Sequence, residues 1–380
     1  MSGSHFASSS FSPTVSSRHS ADCKGSRTIP RTLNFISTLT PSGNLSLHLL
    51  RKITYPDHYH QLTLGSVPQR SPMPSDIPET LASALPSHLK PLTLSSHGGS
   101  SFSQILQLIC SDTSANDTET HFFIKVDRHQ SLVRGEYASL RAIWNAVPDF
   151  CPEPIAFGAW DEAKTQWFLV TSFIDTNGSP GSAEFARKLA KLHSTTSPNG
   201  KFGFEVPTHC GETKQSNTWC DTWSECYRVH RIQPLLDQLP SSSMSESLKT
   251  ALVEKVIPRL LVPLDDKIKP ALVHGDLWSG NASANYIFDS SASYSHAEFE
   301  RGIMSMFPAS GWNSNFWANY KAVREELGST EEDLRPEEKA DRIKLYEMYH
   351  QLNHAVMFGD GGYAMSAKRA AEDLVKKYGQ

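Results

Sequence analysis

The chain has no apolar run approaching the roughly 18 residues that a membrane-spanning helix needs. Its six cysteines (Cys23, Cys110, Cys151, Cys210, Cys220 and Cys226) contain no Cys-x-x-Cys pair. That scatter argues against a zinc site or a disulfide scaffold and fits a reducing compartment. Basic residues are not in excess: 36 Lys and Arg stand against 40 Asp and Glu, for a net charge of -4. A nucleic-acid partner would call for a basic face, so none is expected. There is no G-x-x-x-x-G-K-[ST], which excludes a P-loop enzyme, and no G-x-S-x-G or H-E-x-x-H to suggest a serine hydrolase or a zincin.

What is present is ordinary for a globular protein: 380 residues, 38% hydrophobic and 20% charged, enough for two packed lobes. The charge is uneven. Residues 1–74 hold seven Lys or Arg and two acidic residues, and the opening "MSGSHFASSSFSPTVSSRHS" is rich in Ser and nearly free of acids. Residues 1–75 therefore read as a disordered tail or, on the same composition, a mitochondrial transit peptide; the expected location is cytoplasmic, with a mitochondrial one as the alternative. Order is expected from about Ser75, where "SDIPETLASALP" carries a helix start. Strand-like runs follow in "KPLTLSSHGGSSFSQILQLIC", "THFFIKVD", "EPIAFGAW" and "QWFLVTSFI", with one helix, "SLVRGEYASLRAIWNAV", inserted among them. The Gly-, Pro- and Ser-dense "DTNGSPGS" reads as a linker, and beyond it the pattern is mainly helical. The organisation expected is a β-rich N-lobe over 76–174, a hinge over 175–182 and a helical C-lobe over 183–380.

The chemistry centres on "HGDLWSGN", His274 to Asn281, which follows the apolar Ala271-Leu272-Val273. It reads as a strand ending in a loop that displays Asp276 and Asn281 on one side. Phosphoryl transfer from ATP needs a strand Lys for the phosphates and a helix carboxylate to aim it. It also needs an Asp at the acceptor hydroxyl, and an Asn with a second Asp on magnesium. Asp276 and Asn281 have the five-residue separation of a kinase catalytic loop. Lys125 ends the apolar strand "HFFIKVD", Glu136 lies eleven residues on in a helix, and Asp289 follows the short strand in "YIFDSS". Gly98 and Gly99, in "SSHGGSSFS", are candidates for backbone contacts to nucleotide phosphates. Each residue alone is weak; their order along the chain points to an α+β, two-lobed protein-kinase-like fold.

These residues resemble the fructosamine/ketosamine-3-kinase family, relatives of the aminoglycoside phosphotransferases. The resemblance covers roughly residues 76–378 and rests on "LVHGDLWSGN", "SHGGSSFSQ", "FFIKV", "RGEYASLRAI", "NTWCDTW", "SHAEFE" and "LNHAVMFG". It implies ATP-dependent phosphorylation of the 3-hydroxyl of a ketosamine on a glycated protein or glycated amine. The phosphate makes the adduct unstable, so the amine is regenerated. It further implies Asp276 as catalytic base, Asn281 and Asp289 as Mg2+ ligands, Lys125 on the ATP phosphates and Glu136 orienting it. Trp219, Trp223, His296 and Glu298 become candidates for the sugar pocket.

Three positions depart from the family's pattern. Asn281 and Asp289 are only eight residues apart, where a longer hairpin is usual, so the two are expected opposite one another across a tight turn formed from "SANYIF". Thr222 stands where an Asp is common, and Arg301 where an apolar residue is. The rival readings are a phosphotransferase for another small-molecule hydroxyl and a pseudokinase that binds without turnover.

Overall fold

Burial alternates along 104–112 and 118–127, and that alternation sets which face of the N-lobe sheet is covered. In the computed structural model, which describes residues 77–99, 103–359 and 361–380, a short helix α1 (Glu79–Ala84) precedes five strands. These are β1 (Leu89–Gly99), β2 (Gln104–Asp112), β3 (Thr118–Asp127), β4 (Pro154–Ala159) and β5 (Trp167–Ser172), in the order β1-β2-β3-β5-β4, every pair antiparallel. Phe122, Ile124 and Val126 of β3 bury one face of the sheet against a core that includes Leu81, Leu106, Leu108, Phe168 and Val170. Lys125, one residue out of phase, must point to the other face. The expectations for residues 1–75 lie outside the described residues.

Helix α2 (Gln130–Ala146) packs against that other face, with Val133, Leu140 and Ile143 buried. These residues share a core with Leu169 of β5 and with Phe185, Leu189, Leu272, Leu277 and Ile287 of the C-lobe, so one continuous apolar cluster spans the hinge. After the linker, Ser182 caps helix α3 (Ala183–Ser194) by accepting from the Phe185 amide at 3.0 Å, as a serine at an N-cap does.

The C-lobe then forms a small hairpin, β6 (Thr208–Cys210) and β7 (Thr213–Gln215), and two helical runs that the sequence pattern had only partly indicated. The first comprises α4 (Trp223–Tyr227) and α5 (Gln233–Gln238), the second α6 (Glu246–Ala251) and α7 (Ile257–Leu261). Each run widens by one residue per turn at its middle, over Arg228–Ile232 and Leu252–Val256. A proline follows each widened turn, Pro234 and Pro258. Proline has no N–H to donate and its ring crowds the preceding turn, so a wider turn relieves both problems. Thr222, at the position where family members carry an Asp, serves as the N-cap of α4, accepting from the Glu225 amide at 3.4 Å.

Strands β8 (Ala271–Val273) and β9 (Ser293–Ser295) pair antiparallel and bracket the "HGDLWSGN" loop. Helices α8 (Glu300–Met306), α9 (Ser314–Glu326), α10 (Lys339–Phe358) and α11 (Gly361–Tyr378) complete the lobe around a core that holds Trp223, Tyr227, Phe299, Tyr346 and Tyr349. Arg301, on α8, is not a buried orphan. Its guanidinium lies 3.8 Å from the ring centroid of Trp317 and 3.4 Å from Glu332, so stacking and an ion pair take the place of apolar packing. Among the described residues no helix is long and apolar enough to cross a membrane.

Candidate active site

Strand β8 delivers three buried residues and then stops at His274, because the next residue is Gly275 at φ +85. A Cβ there would meet the Ser291 carbonyl oxygen at 2.3 Å, so only glycine lets the loop turn back against the strand that returns. His274 fastens the two sides together. Its Nδ1 accepts from the Asp276 amide at 3.2 Å and its Nε2 lies 2.9 Å from the Phe288 carbonyl. That pattern fits a neutral ring with the proton on Nε2, and burial holds the imidazole below its ordinary pKa.

The carboxylate of Glu300, buried at the start of α8, accepts the amides of His274 at 2.6 Å and Gly275 at 3.0 Å. Burial opposes its charge, but the His193 imidazole 3.5 Å away and the His274 amide outweigh that and keep its pKa low. The loop is thus hung on an ionised group inside the C-lobe. The sequence reading missed this role. Glu300 ends the quoted "SHAEFE" run, but no spacing ties it to residues 274 and 275.

Asp276 and Asn281 come together as the five-residue spacing implied. The Asn281 amide nitrogen donates to the Asp276 carbonyl at 2.9 Å and lies 3.3 Å from its carboxylate. Burial pushes the Asp276 carboxyl well above the usual aspartate range, and the charges of Asp289 and Glu300 add to the rise. Bonds from the Cys210 thiol and the Asn281 amide act against it.

The short segment after Asn281 closes as a tight hairpin. Phe288 donates to the Asn281 carbonyl at 3.0 Å, Ala282 bridges Ile287, and Ser283 donates to the Tyr286 carbonyl at 2.8 Å. The register pairs Asn281 with Phe288, one residue away from the expected pairing of Asn281 with Asp289. A two-residue tip, Ala284-Asn285, requires that register. Asp289 is therefore the first residue beyond the ladder. It takes a left-handed φ of +56, which an aspartate tolerates better than a bulky residue. Its carboxylate reaches Lys125 of the N-lobe at 3.3 Å.

Lys125 also reaches Glu136 of α2 at 2.7 Å. Burial disfavours the ammonium, but the charges of Asp289 and Glu136 outweigh it and raise its pKa. The same lysine charge holds Asp289 below the usual carboxylate range. Burial pushes Glu136 upward against the pull of Lys125.

The sequence-predicted residues thus fall into three groups. Lys125, Glu136, Asp276, Asn281 and Asp289 converge on one region. Gly98 and Gly99 end β1, with Gly99 opposite Gln104, next to the undescribed residues 100–102. Of the four sugar-pocket candidates, only Trp219 is partly exposed; it stacks on Tyr294 at 6.1 Å between centroids. Trp223 is fully buried and donates to the Tyr346 hydroxyl at 2.9 Å. His296 is buried with its Nδ1 2.9 Å from the same hydroxyl, and Glu298 is buried against Arg342 at 2.6 Å. These three have their partners inside the C-lobe core, so they brace its wall instead of forming a surface. The family resemblance made them pocket candidates; in the fold their polar atoms serve internal hydrogen bonds.

The pattern that defines the family described as fructosamine kinase matches residues 81–377. The chain belongs to the fructosamine kinase family. Among fructosamine kinase relatives, the chloroplastic protein-ribulosamine 3-kinase of Arabidopsis thaliana is 32% identical over 67% of this chain and 76% of its own length. The Mus musculus ketosamine-3-kinase is 32% identical over 67% of this chain and 88% of its own. The fold is that of a crystal structure from Thermobifida fusca assigned as a fructosamine-3-kinase, at a TM-score of 0.59 and 21% identity, covering 76% of this chain and 95% of that one.

Proposed function

We propose that the protein is an ATP-dependent ketosamine-3-kinase, acting on ribulosamine or fructosamine adducts of proteins or free amines. The observation that carries this reading is the Asp276–Asn281 contact in a loop facing the Lys125–Glu136–Asp289 cluster, in a chain of this family. Lys125 neutralises nucleotide phosphate, and Glu136 fixes where its ammonium stands. The Asp276 carboxylate takes the proton of the acceptor hydroxyl. The hydroxyl oxygen then forms its bond to the γ-phosphorus while the bond from that phosphorus to the bridging oxygen of ADP breaks. A raised pKa suits Asp276 to that task, because a stronger base accepts the proton more readily.

The donors also suit magnesium, a hard cation that takes oxygen ligands. The Asn281 amide nitrogen is engaged by Asp276, which leaves its oxygen as the ligand atom, and Asp289 supplies a carboxylate. A magnesium ion held by Asn281 and Asp289 would neutralise phosphate charge. Trp219, stacked on Tyr294, offers an aromatic face to the sugar. Against the pseudokinase reading, the short hairpin closes and the Asp289 carboxylate still reaches Lys125 at 3.3 Å. The buried free thiols fit a reducing compartment.

The test is magnesium-dependent ADP release with synthetic ribulosyl-, erythrulosyl- and fructosyl-lysine, with NMR to place the phosphate. Phosphate on the 3-hydroxyl is expected. ADP release with an aminoglycoside or choline and with none of the three adducts would overturn the substrate assignment.

A further inference from the structure

Cys210, Asp276 and His350 come from three distant parts of the chain: the end of β6, the catalytic loop and the middle of α10. Each presents one potential ligand atom, and these atoms all lie within 4.8 Å of one another. Cys210 is 1% exposed and His350 is wholly buried. Neither ring nitrogen of His350 has a hydrogen-bond partner. A buried imidazole without a partner is uncommon, because desolvating it is costly. Burial holds His350 well below its ordinary pKa, so the ring is neutral and keeps a lone pair free. The Cys210 sulfur lies within 4.8 Å of the Asp276 carboxylate.

We propose that these three side chains form an inhibitory site for a thiophilic divalent cation of the zinc type, which withdraws the Asp276 carboxylate from proton transfer. The proposal rests on the reading of Asp276 as the base. One thiolate, one imidazole and one carboxylate are a donor set that zinc accepts and magnesium does not. Tetrahedral zinc, with bonds of about 2.0–2.3 Å, separates its ligand atoms by roughly 3.5 Å. The cluster therefore needs to close by only about 1 Å, a change within side-chain rotation. Cys210 gives up its proton to the solvent on binding, and the cation's charge replaces the repulsion that Asp276 exerts on a thiolate. Entry runs past Asp276, the one member that is not fully buried. The absence of a Cys-x-x-Cys pair excludes a local zinc motif but says nothing about ligands that only the fold assembles.

The experiment has two independent readouts on the full chain. First, Co2+ is titrated into the wild-type protein and into Cys210→Ser, with the thiolate-to-cobalt charge-transfer band followed in the near ultraviolet. The band is expected in the wild type and absent in Cys210→Ser. Second, turnover is measured at fixed excess Mg·ATP against buffered low-micromolar free Zn2+, each variant being compared with its own zinc-free rate. Inhibition is expected in the wild type and reversed by a zinc-selective chelator. His350→Gln should weaken it by more than the roughly tenfold that losing even an outer-shell partner costs. No charge-transfer band in the wild type, or equal zinc sensitivity in all three proteins, would overturn the site. A band without loss of turnover would overturn its inhibitory role. If no ketosamine is turned over at all, the kinase reading fails separately, while the cobalt titration still decides whether the cation binds.

Discussion

Asp289 Oδ1 stands 3.3 Å from the ammonium of Lys125, a residue 164 positions earlier in the chain. The same ammonium lies 2.7 Å from Glu136, so one cation joins strand β3, helix α2 and the segment that follows the catalytic hairpin. On the proposed reading, nucleotide phosphate enters where these charges already face one another. Lys125→Met should abolish detectable ATP binding. Glu136→Ala should leave the lysine in place but free to wander, lowering kcat/KM for ATP by about 10²-fold, the cost of a misplacement of roughly 1 Å. Nucleotide titration by calorimetry and steady-state kinetics check both, and unchanged ATP kinetics in Glu136→Ala would remove its positioning role.

Asp289 and its neighbour separate ligation from structure. Asp289→Ala is expected to remove magnesium-dependent nucleotide binding. Ser290→Ala loses only the bond from its hydroxyl to the His274 carbonyl at 3.0 Å. It should cost about 1 kcal/mol of stability and leave magnesium dependence as it was. Nucleotide binding measured with and without Mg2+ distinguishes the two, and equal effects in both variants would sink the assignment of Asp289 as ligand.

Asp276→Asn should lower kcat by about 10²–10⁴-fold, the usual loss for a positioned base, with ATP affinity retained. The same change should stabilise the protein. Burial raises the pKa of this carboxyl in the folded state above its unfolded value. Its ionisation therefore costs stability at every pH above the folded value, and that cost disappears as the pH falls below the ordinary aspartate value of about 3.9. At pH 8 the variant is expected to melt about 2–4 °C above the wild type, with the gap closing on acidification. A lower melting temperature at pH 8 would show that the carboxylate holds the loop together.

Glu300 is expected to behave as a support for the loop. Glu300→Ala leaves the His274 and Gly275 amides buried without their acceptor, at about 1–3 kcal/mol each. A large fall in melting temperature should accompany the loss of kcat. Glu300→Gln keeps one acceptor oxygen and should recover part of both. If Glu300→Ala instead reduces kcat with its melting curve unchanged, the carboxylate acts on the reaction and not through the loop.

The chain's local patterns carried much of this. The apolar run in "HFFIKVD" marked Lys125 as a strand residue, and burial in the fold set it on the face opposite Phe122, Ile124 and Val126, because side chains in a strand point to alternate sides. The five-residue separation of Asp276 and Asn281 set their meeting, since a loop that short leaves few ways to arrange them. The two-residue hairpin tip, by contrast, shifted the register by one, a choice made by turn geometry that hydrophobic pattern does not record. The surroundings of Trp223, His296 and Glu298 were decided by packing: the family resemblance made them pocket candidates, and the C-lobe core supplied internal partners. Glu300 under the loop, and Cys210 and His350 beside Asp276, belong to the same class. Sequence determines what is close along a strand, a turn or a helix face, where backbone geometry sets the distance. Which residues meet across lobes and between distant helices depends on how whole elements pack, and that only the tertiary structure decided.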